Sequence, residues 1–285
     1  MNKKLIIIAL TVLIIIAAAI FIIGRNKTNN SDSNTTYNNQ PDDAVRNSVW
    51  TPPPGTTWQW QLDGDFNNTV DAEVYDLDLF DSSKELVDSL HQQDKKMICY
   101  VSVGSYEDWR PDAQDFPSSV IGKKYAGWTG EKWLDISQID LLGPIMKKRL
   151  DLCAEKGFDA VEPDNIDGYD NKTGFNLSYD DQLKYNIWLA NEAHQRGLSI
   201  GLKNNADQAQ DLEPYYDWAM TEDCAVQEWC QDMEVFIQND KAVFQAEYTD
   251  EDVDFDQVCK NAKSSKFSPI LKNRDLDAEI KTCSQ

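Results

Sequence analysis

From residue 58 onward the chain alternates short apolar runs with longer stretches whose apolar positions recur at three- and four-residue spacing. The short runs predict β-strands at residues 58–62, 72–78, 97–103, 160–164, 199–204, 218–222, 242–248 and 268–272. The stretches between them predict amphipathic helices at 82–92, where Leu86 and Leu90 are four apart, and at 144–156, with Ile145, Leu150 and Cys153 on one face. A third is predicted at 179–195, with Gly197 placed to end it. Such alternation implies parallel strands joined by crossover helices. Eight strands are the number that closes a barrel of this kind. The predicted fold class is α/β, a (β/α)8 TIM barrel forming a single domain over residues 49–285.

The N-terminus breaks this pattern. Leu5 to Gly24 is uncharged, with Thr11 its polar exception, and is long enough to cross a bilayer as a helix. Lys3 and Lys4 precede the run, and Arg25 and Lys27 follow it. Residues 1–25 therefore read as a signal-anchor or transmembrane segment; Ala17 to Ala19 leave a cleaved signal peptide as the alternative. Residues 26–48, rich in Asn, Thr, Ser and Asp, read as a flexible polar linker. Sequons at Asn30, Asn34, Asn67, Asn171 and Asn176, with six cysteines, favour a domain outside the cytosol, either membrane-anchored or secreted.

Charge narrows the partners. A net charge of −22 excludes nucleic acid, which needs clustered Lys and Arg, and suits either simple solvation or a cationic partner. The two histidines, His91 and His194, fall in polar helical stretches and read as surface residues. A histidine-dependent triad and a histidine-ligated metal are thus not expected, and the cysteine spacings do not match a zinc site.

The C-terminal ends of the predicted strands carry the chemistry. They present Asp63, Asp76 and Asp78, the run Ser102 to Glu107, Glu162-Pro163-Asp164-Asn165, Lys203-Asn204-Asn205, Thr221-Glu222-Asp223, Glu247-Tyr248 and Lys272 to Asp275. That face of a barrel collects reactive groups from several strands. Glycosidic cleavage needs one carboxyl group to protonate the leaving oxygen and another to attack or to activate water. Glu162, Asp164, Glu222 and Glu247 are the candidates, against the alternative that each is a solvated loop charge. Glu162 shares the face of Asp164 in a regular strand. Lys203 either holds a carboxylate ionised or pairs with Glu162. Trp58, Trp60, Trp109, Trp128 and Trp133 line a cleft or pack the core.

These runs resemble glycoside hydrolase family 114, the endo-α-1,4-polygalactosaminidase family. The resemblance is carried by CYVSVGSYEDWRPDA from Cys99, WLDI from Trp133, GFDAVEPDNIDGY from Gly157, GLKNN from Gly201, AVFQAEY from Ala242 and ILKNRDLDA from Ile270. It spans Trp50 to Cys283. It implies hydrolysis of α-1,4 bonds in galactosamine polymers without a cofactor or metal. The family's catalytic Asp carries over to Asp164 and its catalytic Glu to Glu222, although Thr221 stands where the family often has Asn. Tyr106, Asn165, Lys203, Glu247 and Arg274 resemble residues that shape the cleft. Asp63, Asp76 and Glu162 are candidates for binding the ammonium groups of a cationic substrate. Rival readings are a cell-surface barrel that binds carbohydrate without cutting it, and a hydrolase for a different glycan. For the cysteines, Cys224 with Cys230 and Cys259 with Cys283 are the expected pairs; Cys99 and Cys153 form a third pair or remain buried thiols.

Overall fold

The computed structural model describes residues 48–67 and 70–283. The expected anchor at 1–25 and all but the last residue of the expected linker at 26–48 lie outside the described residues. Among the described residues, no helix is long and apolar enough to cross a membrane.

All eight apolar runs form strands. They are β1 Trp58–Gln61, β2 Val74–Asp78 and β3 Lys96–Ser102, followed by a small insertion of β4 Ser105–Glu107, β5 Ile121–Lys124 and β6 Glu131–Leu134. Then come β7 Ala160–Asp164, β8 Ser199–Lys203, β9 Trp218–Glu222, β10 Val243–Tyr248 and β11 Ser268–Lys272. The main sheet runs β1-β2-β3-β7-β8-β9-β10-β11, parallel throughout, and a short β12 at Lys281–Thr282 adds antiparallel to β11. No ladder joins β11 to β1. The two edges are tied instead by Trp58 Nε1 donating to the Ser268 carbonyl (2.7 Å), Lys272 Nζ to Gln59 Oε1 (3.2 Å) and the Leu62 amide to the Leu276 carbonyl (2.8 Å). The result is a parallel sheet curled in the manner of a TIM barrel.

The curl has a packed interior. Alternate strand positions point inward. Trp58, Val74, Ile98, Ala160, Trp218, Phe244 and Ile270 thus form one buried cluster. Trp58 and Trp218 pack on Phe244 with ring centroids 5.0 and 5.4 Å away. Trp218 fits because β8 offers Gly201 opposite: a Cβ there would lie 2.3 Å from the indole.

The helices are α1 Lys84–His91, α2 Ile139–Lys156, α3 Tyr179–His194, the short α4 Ala209–Leu212 and α5 Glu234–Gln238, and α6 Phe255–Ser265. Ser83 caps α1, and Ser178 with Asp181 forms a capping box on α3. Three expectations need correction. Helix α2 starts five residues before Pro144, because buried Ile139 and Leu142 extend its apolar stripe upstream. Among the described residues no helix joins β1 to β2. His194 is not a surface residue: it is 6% exposed, and its Nε2 lies 2.8 Å from Asp217, which also accepts from the Ile200 amide. All six cysteines pair, as Cys99–Cys153, Cys224–Cys230 and Cys259–Cys283. The first ties β3 to α2 and the last ties α6 to the segment after β12.

Candidate active site

Three strands end in the same way. Asn165 after β7, Asn204 and Asn205 after β8 and Asp223 after β9 have φ of 64°, 51°, 48° and 53°. Asn and Asp tolerate this left-handed region better than most residues. Each chain turns sharply there and leaves the last inward side chain of its strand, Asp164, Lys203 or Glu222, at the rim. Gly104 lets the turn after β3 approach: a Cβ on it would lie 1.7 Å from the Asn165 carbonyl oxygen.

Lys203 joins the other two. Its ammonium lies 3.1 Å from Asp164 Oδ1, 3.2 Å from Glu222 Oε2 and 2.6 Å from Glu162 Oε1, over the face of Trp60. Tyr100 donates to Asp164 Oδ2 (3.0 Å), and the Asn165 amide reaches the same oxygen (3.3 Å). Glu222 is held on both sides. Asn204 Nδ2 donates to Oε2 (3.1 Å), Asn204 Oδ1 accepts the Glu222 amide (2.9 Å), and the Tyr248 hydroxyl donates to Oε1. Asp164 and Glu222 keep 20% and 26% of their side-chain surface open to the cleft, whereas Lys203 is buried.

The electrostatics follow from these contacts. Burial alone raises Glu222, but Lys203, Tyr248 and Asn204 outweigh it and hold the carboxyl below its ordinary value. Burial likewise opposes the Lys203 charge, yet Asp164, Glu162 and Glu222 hold it well above the usual lysine range. Burial pushes Glu131 up to about 7, against donors from Ser105 and Asn165. Burial and then the charge of Asp164 push Asp167 up to about 6.

These groups face a cavity of about 1030 Å³ at the C-terminal ends of the strands. Thirteen of its lining residues are Asp or Glu against three Lys or Arg. The three cations are all engaged: Arg110 by Asp78 and Glu107, Lys203 as above, and Arg274 by Asp223, Asp250 and Glu251. Trp109 and Trp128, half exposed, stand on its wall. Cys224, Cys230 and Glu247 bring possible ligand atoms within 4.8 Å of one another, but the disulfide consumes both thiols, so this group does not suit a metal.

Of the residues singled out in the sequence, Asp63, Asp164, Asn165, Lys203, Glu222 and Arg274 line the cavity. Four do not. Asp76 and Glu162 point inward but sit one layer deeper and are fully buried. Glu247 points the other way, accepting from Gln245 and from the Ala225 amide and so anchoring the Cys224–Cys230 loop. Tyr106 packs edge-on against Phe116 at 5.7 Å. Thr221 turns its hydroxyl to Cys224 Sγ (3.4 Å), away from Glu222. Tyr248 and Asn204 stand in the sequence only as strand-end residues without a role of their own, and Tyr100, Asp167 and Glu131 carry none there. Strand parity marks Tyr248 and Tyr100, since Phe244, Ala246 and Tyr248 share one face and Ile98 and Tyr100 another. Asp167 lies on the connection after β7 and Glu131 opens the short inserted strand β6, where periodicity is silent.

Comparison with known proteins agrees with this picture. The profile of glycoside-hydrolase family GH114 matches residues 39–285. A search of curated protein sequences gave no match. Among solved structures, Ega3 of Aspergillus fumigatus, in complex with galactosamine, is 41% identical, with 82% of this chain and 97% of that chain covered and a TM-score of 0.78. The glycoside hydrolase domain of PelA from Pseudomonas aeruginosa is 13% identical over 82% of this chain and 100% of its own, with a TM-score of 0.62. A D-allulose 3-epimerase from Methylomonas sp. is 11% identical over 79% of this chain and 85% of its own, with a TM-score of 0.50. The last two share the fold alone. With an acid-lined cleft at the strand ends and the family profile spanning the whole described domain, the chain belongs to glycoside-hydrolase family GH114 and is a glycosidase.

Proposed function

We propose that this chain hydrolyses α-1,4 bonds in galactosamine-containing polysaccharide, with Asp164 as nucleophile and Glu222 as acid/base, on an eight-stranded barrel of the (β/α)8 type. One observation carries the reading: Asp164 and Glu222 project from two strands into one cleft and share the single ammonium of Lys203. Their Lys203-bound oxygens can be no farther apart than the two contacts laid end to end. A pair bridged by one ammonium in this way suits the short carboxyl separation of a retaining, double-displacement mechanism.

In the first step protonated Glu222 gives its proton to the glycosidic oxygen while an Asp164 oxygen attacks the anomeric carbon. The C–O bond breaks and a glycosyl ester forms on Asp164. In the second step Glu222, now a carboxylate, takes a proton from water; the water oxygen attacks the anomeric carbon and Asp164 leaves as carboxylate. Lys203, Tyr100 and Asn165 hold the Asp164 carboxyl group aimed at the cleft.

Charge supports a cationic substrate. Among the described residues no Lys or Arg pairs with Asp63, Asp167, Asp170, Asp207, Asp232 or Asp275, all of which line the cleft. The ammonium groups of a de-N-acetylated galactosamine polymer would supply those partners, and Trp109 and Trp128 would cover pyranose faces. The galactosamine bound by Ega3 is in keeping with this. We further propose that residues 1–25 anchor the chain and 26–48 tether it, so that the disulfide-bonded domain works outside the cell, anchored or, if the segment is cleaved, secreted.

The test is cleavage of a de-N-acetylated α-1,4-galactosamine oligosaccharide by wild type, Asp164→Asn and Glu222→Gln. Each variant should lose roughly 10³-fold or more in kcat while melting as wild type does. A variant retaining a tenth of the activity removes that residue from the mechanism.

A further inference from the structure

Beneath the cleft, one inward position deeper along their strands, lie Asp76 on β2 and Glu162 on β7, both 0% exposed. An ammonium has three N–H bonds to donate. Those of Lys203 face three carboxylates, Glu162, Asp164 and Glu222, which leaves none for Asp76. Among the described residues no donor group reaches either Asp76 oxygen or Glu162 Oε2. The two buried carboxyl groups act on each other electrostatically, and after burial itself the charge of Glu162 is the largest influence raising Asp76.

Among the described residues, the cation that faces Asp76 is Lys203. Asp76 is faced by Glu162 and Asp164 from β7 and by Lys203 from β8. On β3, Tyr100 gives its hydroxyl to Asp164. On β1, Trp60 is paired with Asp76 in register and presents its ring to Lys203. Glu222 and Tyr248, from β9 and β10, also interact with Lys203. One ammonium thus stands amid Asp76, Glu162, Asp164 and Glu222. Two buried carboxyl groups with unpartnered oxygens and one cation shared among four acids do not both ionise.

We propose that Asp76 is a neutral carboxylic acid whose hydroxyl donates to Glu162 Oε2, and that this pair positions Lys203, and through it the charges on Asp164 and Glu222. Asp76 touches no substrate; it is a positioning residue. It keeps Glu162 oriented with Oε1 on Lys203, so the ammonium stays centred between the two cleft carboxylates. The inference rests on the roles proposed for Asp164 and Glu222 but goes a layer below them.

The test is carboxyl-carbon NMR of the full chain labelled with ¹³Cγ-aspartate, without substrate. At about pH 8 one aspartate carboxyl should still resonate as the protonated form, and that signal should be missing from Asp76→Asn. Its absence from wild type, or its persistence in Asp76→Asn, overturns the proposal. The wild-type spectrum decides even if the variant does not fold. Kinetics then separate positioning from filling space. Asp76→Asn, whose amide still donates to Glu162, should keep at least about a third of kcat, whereas Asp76→Leu should lose about 30-fold in kcat with KM within about twofold. Equal losses in the two variants, or none in the leucine variant, would overturn the positioning role. A protein that shows the buried proton but leaves the galactosamine polymer uncut refutes the substrate assignment and not this pair.

Discussion

Tyr248 reaches across from β10 and gives its hydroxyl to Glu222 Oε1, while the Arg274 guanidinium stacks on its ring at 3.9 Å. With Lys203 and Asn204, Tyr248 stabilises the ionised form of Glu222 and keeps its pKa below the ordinary value. As acid, Glu222 must carry a proton, so kcat/KM should fall as pH rises through that lowered pKa, and the enzyme should favour acidic conditions. Removing one donor to the carboxylate raises its proton affinity. Tyr248→Phe should therefore move the alkaline limb of the kcat/KM–pH profile upward by about 0.5–1 unit, with a lower maximum. Profiles of the two proteins on one galactosamine oligosaccharide would check this. A limb that stays put or moves to lower pH would show that Glu222 is not the proton donor.

Elements were more legible than the side chains they aim. Each apolar run became a strand within two residues at either end, because strands covered on both faces read as plain hydrophobic segments. The EPDN, KNN and TED runs marked three strand ends because Asn or Asp there serves the left-handed turn as well as the chemistry. Depth and facing were harder to read. Asp76 and Glu162 have the right parity but lie two residues below their strand ends, about one layer under the rim. Glu247 was favoured over its neighbour Tyr248 because it is acidic, yet the parity set by Phe244 and Ala246 turns Tyr248 inward. The insertion β4–β6, which places Glu131, was invisible to periodicity because its strands are three or four residues long and only partly buried. Pro144 masked the true start of α2. The sequence marked Cys224–Cys230 and Cys259–Cys283 as pairs, and both form; whether Cys99 joins Cys153 depends on which chain segments meet in space, which no spacing fixes.

At the scale of the whole molecule, the charge of −22 gathers a large acidic excess at the cleft, thirteen carboxylic residues against three cations that are already paired. A low-dielectric cleft of one sign concentrates a polycation and is screened by salt. On the de-N-acetylated polymer, kcat/KM should fall about tenfold between roughly 0.02 and 0.3 M salt, while any slow cleavage of the neutral, acetylated polymer should change little. Parallel salt series on the two polymers would check this, and equal slopes would detach the acidic field from substrate capture. The central claim is that Asp164 and Glu222 act in turn on one sugar ring across Lys203. Proton NMR of the first-formed products from an α-1,4-galactosamine oligosaccharide tests it most directly. The account predicts that the new reducing ends appear as the α-anomer and only then mutarotate; initial release of the β-anomer would contradict it.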